Sequence, residues 1–284
     1  MRNVIILTDG LGNQMFQYAL YLAMQAHGKS PWLTTSVISR HVIHNGFELC
    51  KDFNIHREQL RIIDRGTFVG GIMLFAIRYV KKLCYIEDEK NFSPTVFTTE
   101  KPILFGYWQD IRYFDCVEKL LRETFSFQNI DPLNQQYAEQ MNNNNSVSIH
   151  IRRGDYLKYP QYQICNEEYY TQAIFKIKEK VQNPVFYIFS DDLQWSEDFM
   201  KRQQINYKLI HHNRGQNSYK DMYLMTQCKH NIIANSSFSW WGAWLGEQKG
   251  RIVICPDKWN LKSDKIEPQL KHWCKIQTFK NNKI

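Results

Sequence analysis

The sequence feature that most constrains the fold is a regular alternation of strand-like and helix-like segments in the carboxyl-terminal half of the chain. Short apolar runs typical of buried strands are separated by longer segments whose apolar residues recur at helical spacing. The strand-like runs are Ser146–Ile151, Val185–Phe189, Tyr207–Ile210, Asn231–Ala234 and Ile252–Cys255, and the helix-like segments are Asn166–Val181, Trp195–Gln203, Ser218–Gln227 and Ser239–Glu247. This alternation predicts an α/β fold with a parallel, doubly wound sheet.

The amino-terminal half opens with a unit of the same kind. Residues 3–8 predict a buried strand, Asp9–Asn13 a glycine turn and Gln14–His27 a helix, which together form the first unit of a Rossmann-like domain. The polar run Asn142–Asn145 indicates either an interdomain linker or an exposed turn. We therefore predict two Rossmann-like domains facing each other across a cleft. Their predicted bounds are residues 1–142 and 146–284.

Charge and cysteine usage narrow the class of partner and the compartment. The net charge of +8 and the pI near 9.0 favour an anionic partner such as a nucleotide. No run of five like charges occurs, so no nucleic acid partner is expected. The seven cysteines are scattered singly without a CxxC pair, which is typical of reduced thiols in a cytosolic protein. Because the chain also runs from Met1 straight into a strand without a signal peptide, the expected location is cytoplasmic.

The longest apolar run, Phe68–Ile77, is too short to span a bilayer. We interpret it as a buried helix. Lys81 and Lys82 follow it closely, so a second interpretation is a peripheral contact with an anionic membrane, which for a cytoplasmic protein is the inner membrane face.

The segment His150-Ile-Arg152-Arg153-Gly-Asp155 lies at the end of a predicted strand, where side chains of a parallel sheet face the ligand crevice. Two adjacent arginines suit a diphosphate, because guanidinium binds phosphate oxygens in a two-pronged way and stays charged. The alternative is a structural ion pair of Asp155 with Arg152 or Arg153. Both can hold together, with one arginine oriented by Asp155 while the other faces the ligand.

A second segment, Asn235-Ser236-Ser237-Phe238, joins a predicted strand to a helix. Ser or Asn at this position caps a helix, but the free N–H groups and the positive end of the same helix also form an anion site. Trp240 and Trp241 follow directly, and two consecutive tryptophans indicate a specific packing or ligand role.

Acidic residues supply three more candidates. Asp221, early in a predicted helix, can accept two parallel N–H bonds from guanine, or it can be a solvated helix carboxylate. Asp191 and Asp192, at a strand end, can bind ribose hydroxyls, cap the next helix or act as a base.

The amino-terminal turn has two glycines but lacks the third glycine of a dinucleotide-binding fingerprint. Gly12 would let the backbone approach a ligand, with Asn13 and Gln14 supplying amides. Neither a DxD motif for a metal–diphosphate complex nor an HExxH, GxxxxGK[ST] or GxSxG motif occurs. We therefore expect no metal and no cofactor, and the positive groups described above must stabilise the anion instead.

Together and in order, five segments resemble those of the α-1,2-fucosyltransferases, glycosyltransferase family eleven, particularly the short bacterial members. The segments are Gly10–Ala19, Gly106–Asp115, His150–Tyr156, Phe189–Asp192 and Asp221–Leu245. They cover the chain nearly end to end. The resemblance implies a GT-B-like pair of Rossmann halves, with residues 1–142 on the acceptor side and residues 146–284 binding GDP-fucose.

The resemblance also implies roles for individual residues. Arg152 is expected to grip the β-phosphate, with His150 near the nucleotide and Asp221 on the guanine. Ser237 and Phe238 are expected at the phosphates. The residues expected to face the donor from the opposite wall are Gly12, Asn13 and Gln14. Asp9 stands where the family usually shows a second glycine, which either changes the loop shape or adds an acid near the donor.

The activity that the resemblance implies is metal-independent, inverting transfer of L-fucose from GDP-β-L-fucose to the 2-hydroxyl of a terminal galactose in a surface glycan of the O-antigen or Lewis type. Asp155 is our candidate for the general base, and Asp9, Glu48 and Asp191 are alternatives. Other interpretations are a fucosyltransferase of another linkage, an enzyme for another GDP-sugar, and a non-catalytic nucleotide-sugar- or glycan-binding protein.

Overall fold

The computed structural model describes residues 3–40, 45–63, 66–246, 248–261 and 267–278. The chain divides into two compact units. Unit 1 comprises Met1–Asn129 and Asp264–Pro268, and unit 2 comprises Ile130–Ser263 and Gln269–Ile284.

Unit 1 is built on a sheet whose described pairings are all parallel, in the order β3-β2-β1-β5-β4. Its strands are β1 (Val4–Ile6), β2 (Trp32–Thr34), β3 (Ile62–Ile63), β4 (Cys84–Ile86) and β5 (Ile103–Phe105), and its helices are α1 (Leu11–Ala26), α2 (Ser36–Arg40), α3 (Leu49–Asp52), α4 (Gly66–Tyr79) and α5 (Glu118–Thr124). The central strand β1 is apolar because it is covered on both faces, and Ile5 and Ile6 are fully buried.

Unit 2 contains a longer sheet of the same kind, in the order β11-β10-β9-β6-β7-β8, again with parallel pairings throughout the described residues. Its strands are β6 (Ser146–Ile151), β7 (Val185–Ser190), β8 (Tyr207–Ile210), β9 (His230–Ile232), β10 (Val253–Pro256) and β11 (Cys274–Ile276), and its helices are α6 (Pro132–Asn142), α7 (Glu167–Lys180), α8 (Leu193–Gln203), α9 (Tyr219–Gln227) and α10 (Ser237–Leu245). The predicted α/β fold with two Rossmann-like domains is confirmed.

The strand order locates the ligand-binding edge of each sheet. In unit 2 the chain runs outward from β6 through β7 to β8, and then returns to the other side of β6 with β9. In unit 1 the corresponding reversal lies between β1 and β5. Open α/β sheets bind ligands at the carboxyl ends of the strands that flank such a switch point.

The predicted boundary near residue 142 differs from the observed division, which falls after Asn129. Helix α6 groups with unit 2 because Ala138 and Met141 pack into a cluster with Tyr187 of β7 and Leu224 of α9. Residues 143–145 form a short, mostly exposed turn between α6, which ends at Asn142, and β6. Of the two interpretations of the polar run, the exposed turn is therefore the correct one.

The prediction of a buried helix over Phe68–Ile77 is wrong in its burial. The helix forms as α4, but Phe68, Ile72 and Phe75 are 77%, 52% and 59% exposed. Within α4 only the small residues Gly70 and Ala76 are buried among the residues whose side chains are described.

Candidate functional site

The two arginines of unit 2 are placed by the register of β6 against β7. His150 lies opposite Phe189, and Ile151 lies opposite Ser190. The chain after β6 therefore runs beside the chain after β7, and Arg152 and Arg153 meet Asp191 and Asp192.

Ion pairs hold these four side chains and Asp155 in two groups, Arg152 with Asp155 and Asp191, and Arg153 with Asp192. The guanidinium of Arg152 lies 2.8 Å from Asp155 Oδ1 and 2.9 Å from Asp191 Oδ2. Arg153 Nε lies 3.1 Å from Asp192 Oδ2, and the guanidinium carbon is 4.1 Å from the ring centroid of Trp195. Arg152 is thus held from two sides, while Arg153 is held between a carboxylate and an aromatic ring.

The structural ion pair considered from the sequence is present, and it is larger than expected. Arg152 carries five N–H donors, so two carboxylates can orient it without using all of them. Asp155 reaches it from the same loop, whereas Asp191 reaches it from the next strand. This arrangement fixes the guanidinium in one orientation before any ligand arrives, with a quarter of the side chain exposed.

Asp191 and Asp192 have separate roles in this loop. Asp192 caps α8 by accepting a hydrogen bond from the N–H of Trp195, which confirms the capping interpretation for this residue. Asp191 accepts a hydrogen bond from the N–H of Arg153 in addition to its pair with Arg152. A Cβ at Gly154 would lie 2.9 Å from Asp191 Oδ2, so a larger residue there would displace this carboxylate from its present position.

His150 is buried in the end of β6, with 8% of its surface exposed. Burial and the neighbouring charge of Arg152 lower the pKa of His150 to about 4, so the imidazole is neutral at physiological pH. Its Nδ1 has no hydrogen-bond partner among the described residues. The ring lies 5.9 Å from that of Phe238, centroid to centroid, which places the end of β6 beside the start of α10.

The start of α10 follows β9 across the switch point from β6. Ser236 occupies the position before the helix, but in the described residues no side chain caps it. The first N–H groups of a helix have no partner within the helix, and together with the helix dipole they attract an anion. The uncapped start of α10 is compatible with the anion-site interpretation, and the role of Ser236, Ser237 and Phe238 stays a prediction.

The side chain of Asn235, which we predicted to bind the donor, forms its hydrogen bonds within the protein. Its side chain is buried, and its Nδ2 donates to the carbonyls of Tyr162 and Trp259 at 3.0 and 3.1 Å. Its own carbonyl accepts a hydrogen bond from the hydroxyl of Tyr156 at 3.0 Å. The amide that we assigned to the donor is thus used to tie neighbouring loops to the start of α10.

The tryptophans of α10 form a packed cluster. Trp240, Trp241 and Trp244 are all buried, and Trp240 stacks on Trp244 with a centroid distance of 5.9 Å. Of the two roles considered for this pair, packing is the one that the structure provides. It anchors α10 so that its first turn has a fixed position.

Asp221 lies apart from the ion-pair network, in the first turn of α9. Its Oδ1 accepts a hydrogen bond from Asn213 Nδ2 at 2.8 Å, and Asn213 in turn exchanges hydrogen bonds with Asn134 of α6. Burial raises the pKa of Asp221 to about 7, well above the ordinary value for an aspartate. Asp221 is therefore a half-buried, hydrogen-bonded carboxylate rather than a solvated helix carboxylate.

The amino-terminal turn of unit 1 is held by buried glutamines. Gln14 is fully buried and donates to the carbonyls of Asp9 and Gly46, while its Oε1 accepts from the N–H of Glu48. Its amide is therefore used inside the protein rather than on a ligand. Asp9 has a left-handed backbone, with φ of 62°, which explains the glycine usual at this position in the family that the motifs resemble.

The chain that follows β5, on the other side of the unit 1 switch point, contacts the first turns of α1. Gln109 Nε2 donates to Asn13 Oδ1 at 2.8 Å, and Gln17 Nε2 donates to the carbonyl of Gly106 at 3.1 Å. No role was predicted for Gln17 or Gln109 from the sequence. The signal available for Gln17 was a glutamine within an otherwise apolar stretch of helix, which needs an internal partner once buried.

Glu48, one of the alternative bases, is 5% exposed and accepts a hydrogen bond from Asn45 at 2.9 Å. Burial raises the pKa of its carboxyl above the ordinary value. Within the described ranges, no group of three or more His, Cys, Asp or Glu residues is arranged to hold a metal ion. All seven cysteines are free thiols.

Comparison with known proteins shows similarity to one protein family across both units. Residues 1–277 match the family described as glycosyl transferase family 11. An α-1,2-colitosyltransferase from Escherichia coli is 32% identical over 283 residues, which cover 95% of this chain and 97% of the relative. The galactoside α-(1,2)-fucosyltransferase 1 of Homo sapiens is 30% identical over 103 residues, 35% of this chain and 28% of that protein.

Among solved structures, the fucosyltransferase NodZ from Bradyrhizobium is similar with a TM-score of 0.52 at 12% identity, over 85% of this chain and 93% of that one. At this identity the likeness concerns the fold, which is GT-B-like. The family match takes in the switch points of both sheets, where the hydrogen-bonded and ion-paired segments described above are gathered. The chain therefore belongs to glycosyl transferase family 11.

Proposed function

We propose that the chain is an inverting α-1,2-fucosyltransferase that moves L-fucose from GDP-β-L-fucose to the 2-hydroxyl of a terminal galactose in a surface glycan. One observation carries the proposal: Arg152, held by Asp155 and Asp191, directly follows β6, whose end lies beside the uncapped start of α10 through His150 and Phe238. The hydrogen bond from Tyr156 to the carbonyl of Asn235 joins the two elements directly.

This arrangement suits the diphosphate of a sugar nucleotide. Guanidinium and helix N–H groups are both strong donors to phosphate oxygens. Because Asp155 and Asp191 already fix the guanidinium, binding costs little further side-chain entropy. Asp221, in the first turn of α9, is the proposed acceptor for the two N–H groups of guanine.

The proposed reaction is a single displacement with inversion at the anomeric carbon. The bond from that carbon to the β-phosphate oxygen breaks as the acceptor oxygen attacks, and negative charge grows on the departing GDP. Arg152 and the start of α10 would stabilise that charge, and fixed donors of this kind contribute on the order of 3–4 kcal/mol each. The proposed reaction requires no metal ion.

Asp155 is the proposed general base, with Asp9, Glu48 and Asp191 as alternatives. It is the more exposed of the two carboxylates that hold Arg152, with 46% of its side chain exposed against 25% for Asp191. An acceptor hydroxyl could therefore reach Asp155 more readily than Asp191. Removal of the hydroxyl proton by a positioned base is worth about 10²–10⁴-fold in rate.

A second donor deserves a test because one relative over nearly the full length is named an α-1,2-colitosyltransferase. Colitose is fucose without its 3-hydroxyl, so GDP-colitose would occupy the same nucleotide site. A pocket that hydrogen-bonds the 3-hydroxyl would reject colitose by about 10⁴–10⁵-fold, whereas a pocket without a partner for it would use both donors.

The deciding experiment measures kcat/KM of the purified protein with GDP-fucose and GDP-colitose on galactose-terminated acceptors, and determines the product linkage by NMR. We expect an α-1,2-linked fucosyl product. A preference for GDP-colitose would leave the linkage and the mechanism in place but change the donor. Binding of GDP without any transfer or hydrolysis of either donor would favour a non-catalytic binding protein.

A further inference from the structure

Helix α4 of unit 1 presents its large apolar side chains outward. Phe68, Ile72, Phe75 and Tyr79 are 77%, 52%, 59% and 62% exposed. Their spacing of four, three and four residues places them along one face of the helix. We call these four residues the α4 stripe; at 1.5 Å per residue it runs for roughly 16 Å.

The opposite face of α4 explains why the stripe cannot turn inward. A Cβ at Gly70 would collide with the backbone carbonyl of Ser36 in α2, so α4 approaches α2 through its small residues. Ala76 is also buried, with 7% of its surface exposed. Rotating the helix to bury Phe68 and Phe75 would drive rings into the contact with Ser36, where even the Cβ of an alanine at position 70 does not fit.

Basic side chains continue the stripe at its carboxyl-terminal end. Arg78, Lys81 and Lys82 are all exposed, and the guanidinium of Arg78 lies 5.4 Å from the ring centroid of Tyr79. Residues 66–86 contain no Asp or Glu. Exposed Leu83 lies next to the two lysines. The surface thus combines an apolar stripe with a cationic border that has no acidic residue in its own segment.

From this surface we infer that α4 docks on an anionic phospholipid bilayer, with the α4 stripe in the acyl region and Arg78, Lys81 and Lys82 at the headgroups. An interfacial helix needs aromatic and aliphatic side chains on one face together with flanking cations. Basic residues near the surface add attraction to anionic lipids, in proportion to their number. The contact is peripheral, because no helix among the described residues is long and apolar enough to cross a bilayer.

Charge favours a lipid surface over a second copy of the chain as the occupant. In a twofold dimer formed through the α4 stripe, the cations of each copy would face a surface that offers no carboxylate within residues 66–86. Four side chains on one short helix also present less area than the roughly 800 Å² per partner of a stable interface. An anionic membrane satisfies both the apolar and the cationic part of the surface.

The test is co-sedimentation of the full chain with vesicles of phosphatidylcholine alone and of phosphatidylcholine mixed with phosphatidylglycerol. We expect binding to the mixed vesicles, weakened by salt, and little binding to phosphatidylcholine alone. The paired variants Phe68→Ser/Phe75→Ser and Lys81→Glu/Lys82→Glu should each weaken partitioning about tenfold or more.

Matched controls use unit 2, which carries an exposed ring and exposed lysines outside this surface. Phe175 is 62% exposed on α7, and Lys178 and Lys180 are exposed in the same helix. Phe175→Ser and Lys178→Glu/Lys180→Glu should bind vesicles like the wild type. Circular dichroism and thermal melting of every variant separate loss of binding from loss of fold.

Three outcomes would overturn the inference: failure of the wild type to prefer phosphatidylglycerol vesicles, retention of binding by the folded Phe68→Ser/Phe75→Ser variant, and equal losses in the α7 controls. A wild-type dimer that this variant converts to a monomer, without vesicle binding, would identify a second copy as the occupant. The measurement needs no sugar donor, so its result is independent of the proposed function.

Discussion

The guanidinium of Arg152, at the end of β6, lies 2.9 Å from the carboxylate of Asp191, at the end of the neighbouring strand β7. The pairing of β6 with β7 brings these residues together although 39 positions separate them in the sequence. Because Asp155 holds the same guanidinium from within its own loop, Arg152 has little freedom to move. The position of its positive charge is therefore fixed before a substrate binds.

Replacement of Arg152 tests the phosphate role. We expect Arg152→Ala to lower kcat by about 10²–10³-fold, because one fixed donor to the departing diphosphate is lost. Arg152→Lys should recover part of the rate, since it restores the charge without the two-pronged geometry. Arg202→Ala, which removes an exposed arginine paired with Glu167, is the control and should leave kcat unchanged. Near-normal turnover of a folded Arg152→Ala protein would refute the role.

The pH dependence of donor binding should follow Asp221. Guanine donates two N–H bonds to an ionised carboxylate, so the KM for the donor should rise as the pH falls below about 7, the pKa to which burial raises Asp221. His150 cannot produce this inflection, because its pKa is lowered to about 4. Asp221→Asn should raise KM and remove the inflection. A wild-type KM independent of pH between 6 and 8 would contradict the assignment.

The same residue makes a stability prediction of opposite sign. The folded protein holds a proton on Asp221 up to about pH 7, whereas the unfolded chain releases it near pH 4. Stability is therefore lost as the pH rises through this window, since the folded state binds more protons. Asp221→Asn removes the charge, so the variant should melt at a higher temperature than the wild type at pH 8, while the difference should shrink at pH 5.

Asp155→Asn tests the general base. The amide can still accept a hydrogen bond from Arg152 but cannot take a proton, so kcat should fall by about 10²–10⁴-fold with the donor KM little changed. Asp198→Asn replaces an exposed aspartate on α8 that accepts from Gln194, and it should have no effect. An unchanged kcat for Asp155→Asn would transfer the role to Asp9, Glu48 or Asp191.

Asp9→Gly should stabilise the protein. Asp9 adopts a left-handed backbone with φ of 62°, which costs a residue with a Cβ about 1 kcal/mol that glycine does not incur. The melting temperature should rise by about 2–4 °C. Asp9→Ala keeps the Cβ and should show no gain. A loss of kcat in both variants, whatever their stability, would identify Asp9 as a residue that acts in catalysis.

Chelation of divalent ions tests whether the protein alone stabilises the negative charge that grows on the departing GDP. We expect EDTA to leave the transfer rate about unchanged. In the proposed mechanism Arg152 and the start of α10 stabilise the charge of the diphosphate, as a divalent ion does in metal-dependent enzymes. Enzyme dialysed against EDTA and then supplied with Mg²⁺ or Mn²⁺ is the comparison. A strict requirement for either ion would contradict the proposed mechanism.

Much of unit 2 was predictable because its strands are long apolar runs separated by helices of ordinary length. The predicted helix over Asn166–Val181 and the observed Glu167–Lys180 differ by one residue at each end. The short strands β3, β4 and β11 were missed, since a strand of two or three residues has no period to detect. Their pairing with β2, β5 and β10 defines them.

Side-chain roles were less predictable than elements. Gln14 and Asn235 looked like ligand-binding amides, but both are buried and use their groups on backbone carbonyls. In the sequence, a polar residue beside a glycine turn looks the same whether its side chain binds a ligand or stabilises the turn. The exposure of the large side chains of α4 could not be predicted either. An apolar run at helical spacing does not show which face of the helix packs against the neighbouring backbone.

The sequence by itself determined the α/β class, the two Rossmann-like units and the family, since periodicity and motif order are local properties of the chain. Only the tertiary structure decided that Arg152 is shared by Asp155 and Asp191, that Asn13 meets Gln109, and that the large side chains of α4 face outward. Each of these relationships depends on which strands or helices become neighbours. That choice is made by packing between segments distant in sequence, which no single segment encodes.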